Sequence, residues 1–314
     1  MTANVVVWGK EVVMTSGISS QGQHIIKSFI DDLSENKDLS KKTLSEYSSD
    51  IKHFIKWFES GIQNSDYFGL EEVATPTITR YREVSENELS LQPATINRRL
   101  VTLKCLFSWA VEKRLIHRDP TKPVKLLRQV KTSPRKMTDK EEAALVAAVE
   151  RDGSVRDHTI IVVMLQTGLR TMELCDLAPE NVTIGKRSGT LVVRGKGNKY
   201  REVPLNSTCR EALSKYLESY SLSNSSYLFR SVKTGGRLSE RGLRHLVRKY
   251  MLAARLEGLS AHDLRHRFGY VLAEKTPIHR IAQIMGHDSL DTTMIYVSAN
   301  KEDLQNEVEK IAWK

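Results

Sequence analysis

The sequence predicts a mainly α-helical chain of two domains, a smaller helical one followed by a larger helical one that carries a small antiparallel sheet. Three observations predict it. Apolar residues recur at three- and four-residue steps through most of the chain. Residues 120–136 break that pattern with Pro120, Pro123 and Pro134. One stretch after residue 180 changes character, reading as short strands around a glycine-rich turn.

Residues 1–20 show no period and are expected to form an extension. In the first domain, 21–119, Leu44, Tyr47, Ile51, Ile55 and Phe58 fall on one helical face. Thr95 is expected to cap a further helix whose apolar face is Ile96, Leu100, Leu103, Phe107 and Ala110. The other side of that helix carries Asn97, Arg98, Arg99 and Lys104, either a solvated basic face or a surface for an anionic partner. Residues 120–136 hold six basic residues and no acidic one. They read as an extended connector suited to running along a DNA backbone, or as a tether with incidental charge.

The second domain is expected over 137–300. Thr138 can cap its first helix, with Glu141 at the reciprocal position. Thr159–Gln166 is apolar enough for a buried helix. Thr190–Val193 and Tyr200–Val203 read as strands flanking Gly195-Lys196-Gly197-Asn198. Residues 301–314 form a tail in which Leu304, Val308, Ile311 and Ala312 keep helical spacing.

Composition narrows the partners. The 314 residues include 48 Lys and Arg against 38 Asp and Glu, a net charge of +10. Such an excess favours a polyanion, since phosphate contacts release condensed counterions. Three cysteines, far apart, exclude a disulfide framework and lack zinc-ligand spacing. No apolar run approaches the roughly 18 residues of a membrane span. The Val5–Trp8 run is too short for a signal-peptide core, so a cytoplasmic location is expected.

Four segments of the second domain each place polar residues where structure should hold them. In Thr167-Gly168-Leu169-Arg170, Gly168 can end the buried helix with positive φ, leaving Arg170 at a helix junction. A buried guanidinium needs a partner, either Glu173 three residues on or a phosphate. Lys196 sits between two glycines at the hairpin tip, where a lysine is often simply solvated; Lys199 lies close by. In Ser260-Ala261-His262-Asp263-Leu264-Arg265-His266, Ser260 and Asp263 resemble a capping box, with His262 in the first turn and Arg265 one turn below it. His262 and His266 also share the spacing of a zinc pair, without the intervening Glu or an evident third ligand. Thr276-Pro277 starts a helix, Gly286 ends it and His287 follows. Ser289 or Asp291 can then cap a last helix bearing Tyr296, a residue that could equally be core packing.

Together and in this order, these pieces resemble the tyrosine recombinase (phage integrase) family: Thr-Gly-Leu-Arg170 with Glu173, hairpin Lys196, His262-x-x-Arg265-His266, Met285-Gly286-His287, and Tyr296 nine residues later. The resemblance covers about 137–300 closely and the preceding helical domain more loosely. Met285 stands where the family usually has Leu, and Arg267-Phe268-Gly269 where a small hydroxyl residue is common after His266. The resemblance implies a SAM-like core-binding domain followed by a catalytic domain. It also implies DNA breakage and rejoining through a 3′-phosphotyrosyl intermediate, without metal, nucleotide or other cofactor. Arg170 and Arg265 would hold the phosphate, His287 would donate to it, and His262 would accept a proton. Lys196 would protonate the leaving 5′-hydroxyl, Tyr296 would attack, and Glu173 would orient its neighbours. The implied partner is double-stranded DNA with a specific core site, bound by four subunits on two sites through the tail, with accessory proteins able to join and a nucleoid association. Arg98, Arg99, Lys104, Arg237, Arg241, Arg244, Arg248 and Lys249 are the expected DNA-contacting cations. Two rival functions share many of these features: relaxation of supercoils by a type IB topoisomerase, and non-catalytic regulation by a helical DNA-binding protein.

Overall fold

The computed structural model describes residues 17–61, 67–129, 134–195, 199–220, 226–287 and 289–296. The chain divides into two compact units, Met1–Lys131 and Thr132–Lys314. No helix among the described residues is long and apolar enough to cross a membrane.

The first unit holds α1 (Ser20–Asn36), α2 (Lys41–Gly61), α3 (Thr75–Asn87) and α4 (Pro93–Glu112). Phe29, Ile51, Phe54, Ile55, Phe68, Ile78, Tyr81, Leu103 and Phe107 close its core. Ile51, Ile55 and Phe58 are buried as their spacing requires, and Leu44 and Tyr47 pack at its edge. Helix α4 starts earlier than the sequence suggests. Pro93 opens it behind Gln92, so Thr95 lies inside the first turn and is not the cap; the fixed φ of Pro suits that opening position.

The far side of α4 is only partly solvated: Arg98 is exposed, but its neighbours are engaged by the protein. Asn97 is buried, donating to the Leu127 carbonyl at 2.8 Å and accepting from the Leu127 N–H at 2.7 Å. Lys104 donates to the Thr121 carbonyl at 2.7 Å, and Thr121 and Val124 are buried. The first part of the proline-rich basic stretch is therefore packed on this unit. Val124 and Leu127 supply the apolar anchors, and the Asn97 amide satisfies both polar groups of one residue's backbone. Its end is engaged too: Pro134 accepts from the Tyr270 hydroxyl at 3.0 Å, and Met137, the residue after the stretch, enters the core of the second unit.

The second unit comprises α5 (Asp139–Asp152), α6 (Val155–Thr167), α7 (Thr171–Asp176), β1 (Val182–Ile184), β2 (Gly189–Arg194), β3 (Tyr200–Pro204), α8 (Ser207–Ser219), α9 (Glu240–Ala253), α10 (Ala261–Ala273), α11 (Ile278–Met285) and α12 (Leu290–Thr293). A single 3-10 turn, Met294–Tyr296, follows α12. Thr138 and Glu141 form the expected reciprocal cap of α5. The buried helix α6 packs against α5, α8 and α10. The strands form an antiparallel sheet in the order β1-β2-β3, with Leu191 opposite Val203 and Val193 opposite Arg201. Pro277 is the N-cap of α11 and not its first helical residue.

Candidate active site

The site is assembled from chain breaks in the second unit. Helix α6 stops at Gly168, whose φ of 61° places it in the left-handed region. The chain turns and restarts at α7 with Arg170 as its N-cap, and the Glu173 carboxylate accepts the Arg170 backbone N–H at 2.7 Å. Helix α11 stops in the same way at Gly286, with φ 65°. A helix end leaves its last carbonyls without helical partners and carries the negative end of the helix dipole. Three guanidinium groups from three other segments occupy those carbonyls.

Arg201 donates Nε to the Ile284 carbonyl at 3.1 Å, Arg265 donates to Met285 at 2.8 Å, and Arg170 donates to Gly286 at 2.7 Å. Arg265 also donates to the Gly168 carbonyl, so one side chain joins the two glycine-ended helices. Burial comes first in its lowered pKa of about 10, with the Arg170 charge adding to it. Among the described residues, Glu173 is the only carboxylate paired with this trio. It takes Arg170 at 2.8 Å and both arms of the Arg201 fork at 2.7 and 2.9 Å. Burial works to raise its pKa, but the Arg201 and Arg170 hydrogen bonds prevail and hold it at about 2. Arg265 is 3% exposed and hydrogen-bonds only to carbonyls among the described residues.

His287 leaves α11 directly beside this trio. Its Nδ1 lies 2.8 Å from the Thr293 hydroxyl, and its ring stacks on that of Tyr296 at 6.2 Å and 16°. Burial, then the Arg265 and Arg170 charges, hold its pKa at about 4, so the ring is neutral near pH 7. In the tautomer where Nδ1 accepts from Thr293, the neutral ring carries its hydrogen on Nε2, from which it can donate to an anion. Tyr296 is buried, with its hydroxyl 3.1 Å from His266 Nδ1 and its ring over Gly269. A Cβ on Gly269 would lie 2.6 Å from that ring, so the absence of a side chain there makes room for Tyr296. Burial raises the Tyr296 pKa, and the Arg265 and Arg170 charges oppose it.

The α10 cap forms as expected, Ser260 accepting from His262 N–H while the Asp263 carboxylate accepts from Ser260. His262 is largely exposed as a residue, and its ring meets His266 edge-on at 4.4 Å. Partial burial and the Arg265 charge lower its pKa. His266 turns its Nδ1 to Tyr296, and no three His, Cys, Asp or Glu among the described residues come together as a metal site.

Of the residues singled out by sequence, Arg170, Glu173, Arg265, His287 and Tyr296 meet here, with His262 at the margin. Lys196 and the tail 301–314 lie outside the described residues, and Lys199 is exposed at the base of the turn. In the first unit, Arg98 donates to the buried Asp50 at 2.6 Å and Arg99 lies 3.1 Å from His53 Nε2. Arg237 pairs with Asp176 at 2.6 Å. Arg241, Arg244, Arg248 and Lys249 are exposed on α9, the last 4.7 Å from the Tyr250 ring centroid. Arg201, Thr293 and the His266–Tyr296 bond escaped the sequence reading. Arg201 had one signal: it shares a strand face with Val203, and a charged residue on an inward face needs an acceptor.

The chain matches the phage integrase family over residues 135–303 and the phage integrase N-terminal SAM-like domain over 26–114. It is 28% identical over 294 residues to the tyrosine recombinase XerC of Bacillus subtilis, covering 90% of this chain and 94% of that one. Against XerC of Thermodesulfovibrio yellowstonii identity is 29% over 296 residues, covering 90% and 94%. In fold it resembles the XerH site-specific recombinase bound to palindromic difH substrate, with TM-score 0.70 and 21% identity over 94% of this chain and 91% of that one. The Tn1549 transposon integrase in complex with transposon right end DNA gives TM-score 0.71 at 17% identity, covering 92% and 99%. The chain belongs to the phage integrase family, the tyrosine-type site-specific DNA recombinases.

Proposed function

We propose that this protein recombines DNA at a specific core site by cutting and rejoining strands through a 3′-phosphotyrosyl bond at Tyr296. One observation carries the reading. Three guanidinium groups converge on the end of α11 with, among the described residues, a single carboxylate paired to them, and the next residue, His287, stacks on Tyr296. That places a net-positive cluster of guanidinium groups near an aromatic hydroxyl, the pairing that an attack on a phosphodiester calls for.

Arg170 and Arg265 hold the non-bridging oxygens of the scissile phosphate. Nε2 of His287 donates to the same centre, where charge grows as phosphorus becomes five-coordinate. The Tyr296 oxygen forms the new P–O bond, and its proton passes to an imidazole, with His262 the family candidate and His266 the ring in contact. The P–O bond to the 5′ oxygen breaks, and Lys196 protonates the departing hydroxyl. The phosphotyrosyl ester conserves the bond energy, so a 5′-hydroxyl from another strand reverses the step without a nucleotide or metal. Exchange between two duplexes takes four such subunits, with the tail as their proposed contact. Accessory proteins, and the choice among integration, excision and resolution, belong to the DNA context.

The test traps protein on nicked duplexes drawn from DNA beside its own gene. A covalent adduct is expected with the parent, in EDTA as well as without it, and none with Tyr296→Phe, which should bind the same duplex. An adduct that survives Tyr296→Phe would sink the assignment.

A further inference from the structure

We propose that Arg201 is a positioning residue of the cleavage site: it neutralises Glu173, so that Arg170 keeps its own charge for the scissile phosphate. The inference rests on the phosphate-binding role given to Arg170 above, and it starts from how the two arginines divide one carboxylate.

Arg201 comes from β3 on the face of Val203, which is fully buried. Its fork takes both Glu173 oxygens, at 2.7 and 2.9 Å, and its Nε takes the Ile284 carbonyl. All three of its donor atoms are committed to the protein. Arg170 gives Glu173 one hydrogen bond from its side chain, at 2.8 Å, and gives Gly286 another. Exposure separates them further: the Arg170 side chain is 42% exposed and that of Arg201 15%. Arg201 is therefore the inner guanidinium and Arg170 the one that solvent, or a phosphate, can reach.

Charge explains why both are present. Arg170, Arg201 and Glu173 together carry one net positive charge. Without Arg201, Arg170 and Glu173 would form a closed neutral pair, and the guanidinium meant for DNA would be spent on its own N-cap carboxylate. Glu173 cannot simply be dispensed with, because it caps the Arg170 backbone N–H and fixes the turn. The same contact gives Gly286 a second reason to lack a side chain, since a Cβ there would lie 2.8 Å from the Arg201 guanidinium carbon.

A charge-rescue experiment tests this. On the nicked duplex that traps the parent protein, Arg201→Met should lower the cleavage rate at saturating DNA by on the order of 10²-fold, the scale of a misplaced catalytic group. Duplex affinity should stay near the parent value. Adding Glu173→Gln to Arg201→Met restores the net charge and should recover about tenfold or more. A purely structural pairing predicts the opposite, a double variant no faster than the single one, and that result overturns the proposal. Should Arg201→Met fail to fold, Arg201→Lys and Arg201→Gln replace it: Lys should keep most of the rate that Gln loses, and equal losses overturn the proposal. Inorganic phosphate provides an arm that needs neither cleavage nor a cognate site. The melting-temperature rise it causes should shrink in Arg201→Met and return in the double variant. If Tyr296→Phe still forms adduct while this phosphate pattern holds, the nucleophile assignment fails and the Arg201 inference stands. If the phosphate pattern is absent while Tyr296→Phe is inert, the reverse follows.

Discussion

Arg265 is a cation 3% exposed whose hydrogen bonds end on carbonyls. Carbonyl dipoles solvate the group only in part, which is why its pKa falls to about 10. On the proposed mechanism an incoming phosphate would supply the missing negative charge, and the interaction would strengthen as charge builds in the transition state. Arg265→Ala should lower cleavage at saturating DNA by about 10²- to 10³-fold, the effect of losing one such donor. A loss seen mainly in duplex affinity would contradict it. Neighbouring imidazoles set a pH dependence. Burial comes first, followed by His262 for His266 and by the Arg265 and Arg170 charges for His287, and holds both at about 4 against 6.5 in the unfolded chain. His53, in the first unit, is held at about 4 by burial and Arg99. Between those values the unfolded chain binds more protons, so stability should fall as pH drops from 6.5 towards 4 and lie level above. Glu173, held at about 2 against 4.5, extends the same trend to lower pH. Melting curves across this range check it, and a melting temperature rising towards pH 4 would refute it.

Two helix ends do the arranging at the scale of elements. Gly168 and Gly286, both in the left-handed region, stop α6 and α11 so that their final carbonyls point at guanidinium groups. Gly286→Ala combines left-handed strain of about 1–2 kcal/mol with a Cβ pressed against Arg201. Cleavage should suffer more than the melting temperature indicates, because the displaced carbonyls orient all three arginines. Equal, modest losses in both would mean that the end of α11 merely supports the fold. These stops were legible in the sequence, since glycine after an apolar helical run has few other uses. The packing of residues 121–127 on α4 was not. Prolines and charges there suggest a free connector, and the pairing with Asn97 depends on residues some 30 positions apart meeting in space.

At the scale of the molecule, the excess positive charge finds an outlet on α9. Arg241, Arg244 and Arg248 recur at helical spacing on its exposed face, while Leu243, Leu246, Val247 and Tyr250 are buried on the other. Replacing the three arginines with alanine should weaken duplex binding and flatten its dependence on salt, by about 0.9 in log–log slope for each phosphate no longer neutralised. An unchanged slope would place the DNA elsewhere. Whole-molecule behaviour also separates this protein from a topoisomerase with related chemistry: on a two-site plasmid, a recombinase exchanges flanking DNA, whereas relaxation alone would favour the topoisomerase.

Local chemistry sufficed to read the family, the helical class, the hairpin, the glycine stops and most of the polar cluster, because each leaves a signature within a few residues. Thr-Gly-Leu-Arg170 and Met285-Gly286-His287 are such signatures. Tertiary structure alone decided which groups share a charge. Glu173 could have paired with Arg170 only; the fold delivers Arg201 from β3, Arg265 from α10 and three carbonyls from α11 to the same place. It also put His266, and not His262, against the Tyr296 hydroxyl. Hydrophobic periodicity is a local property of a chain, whereas electrostatic pairing depends on distances that exist only once the chain has folded.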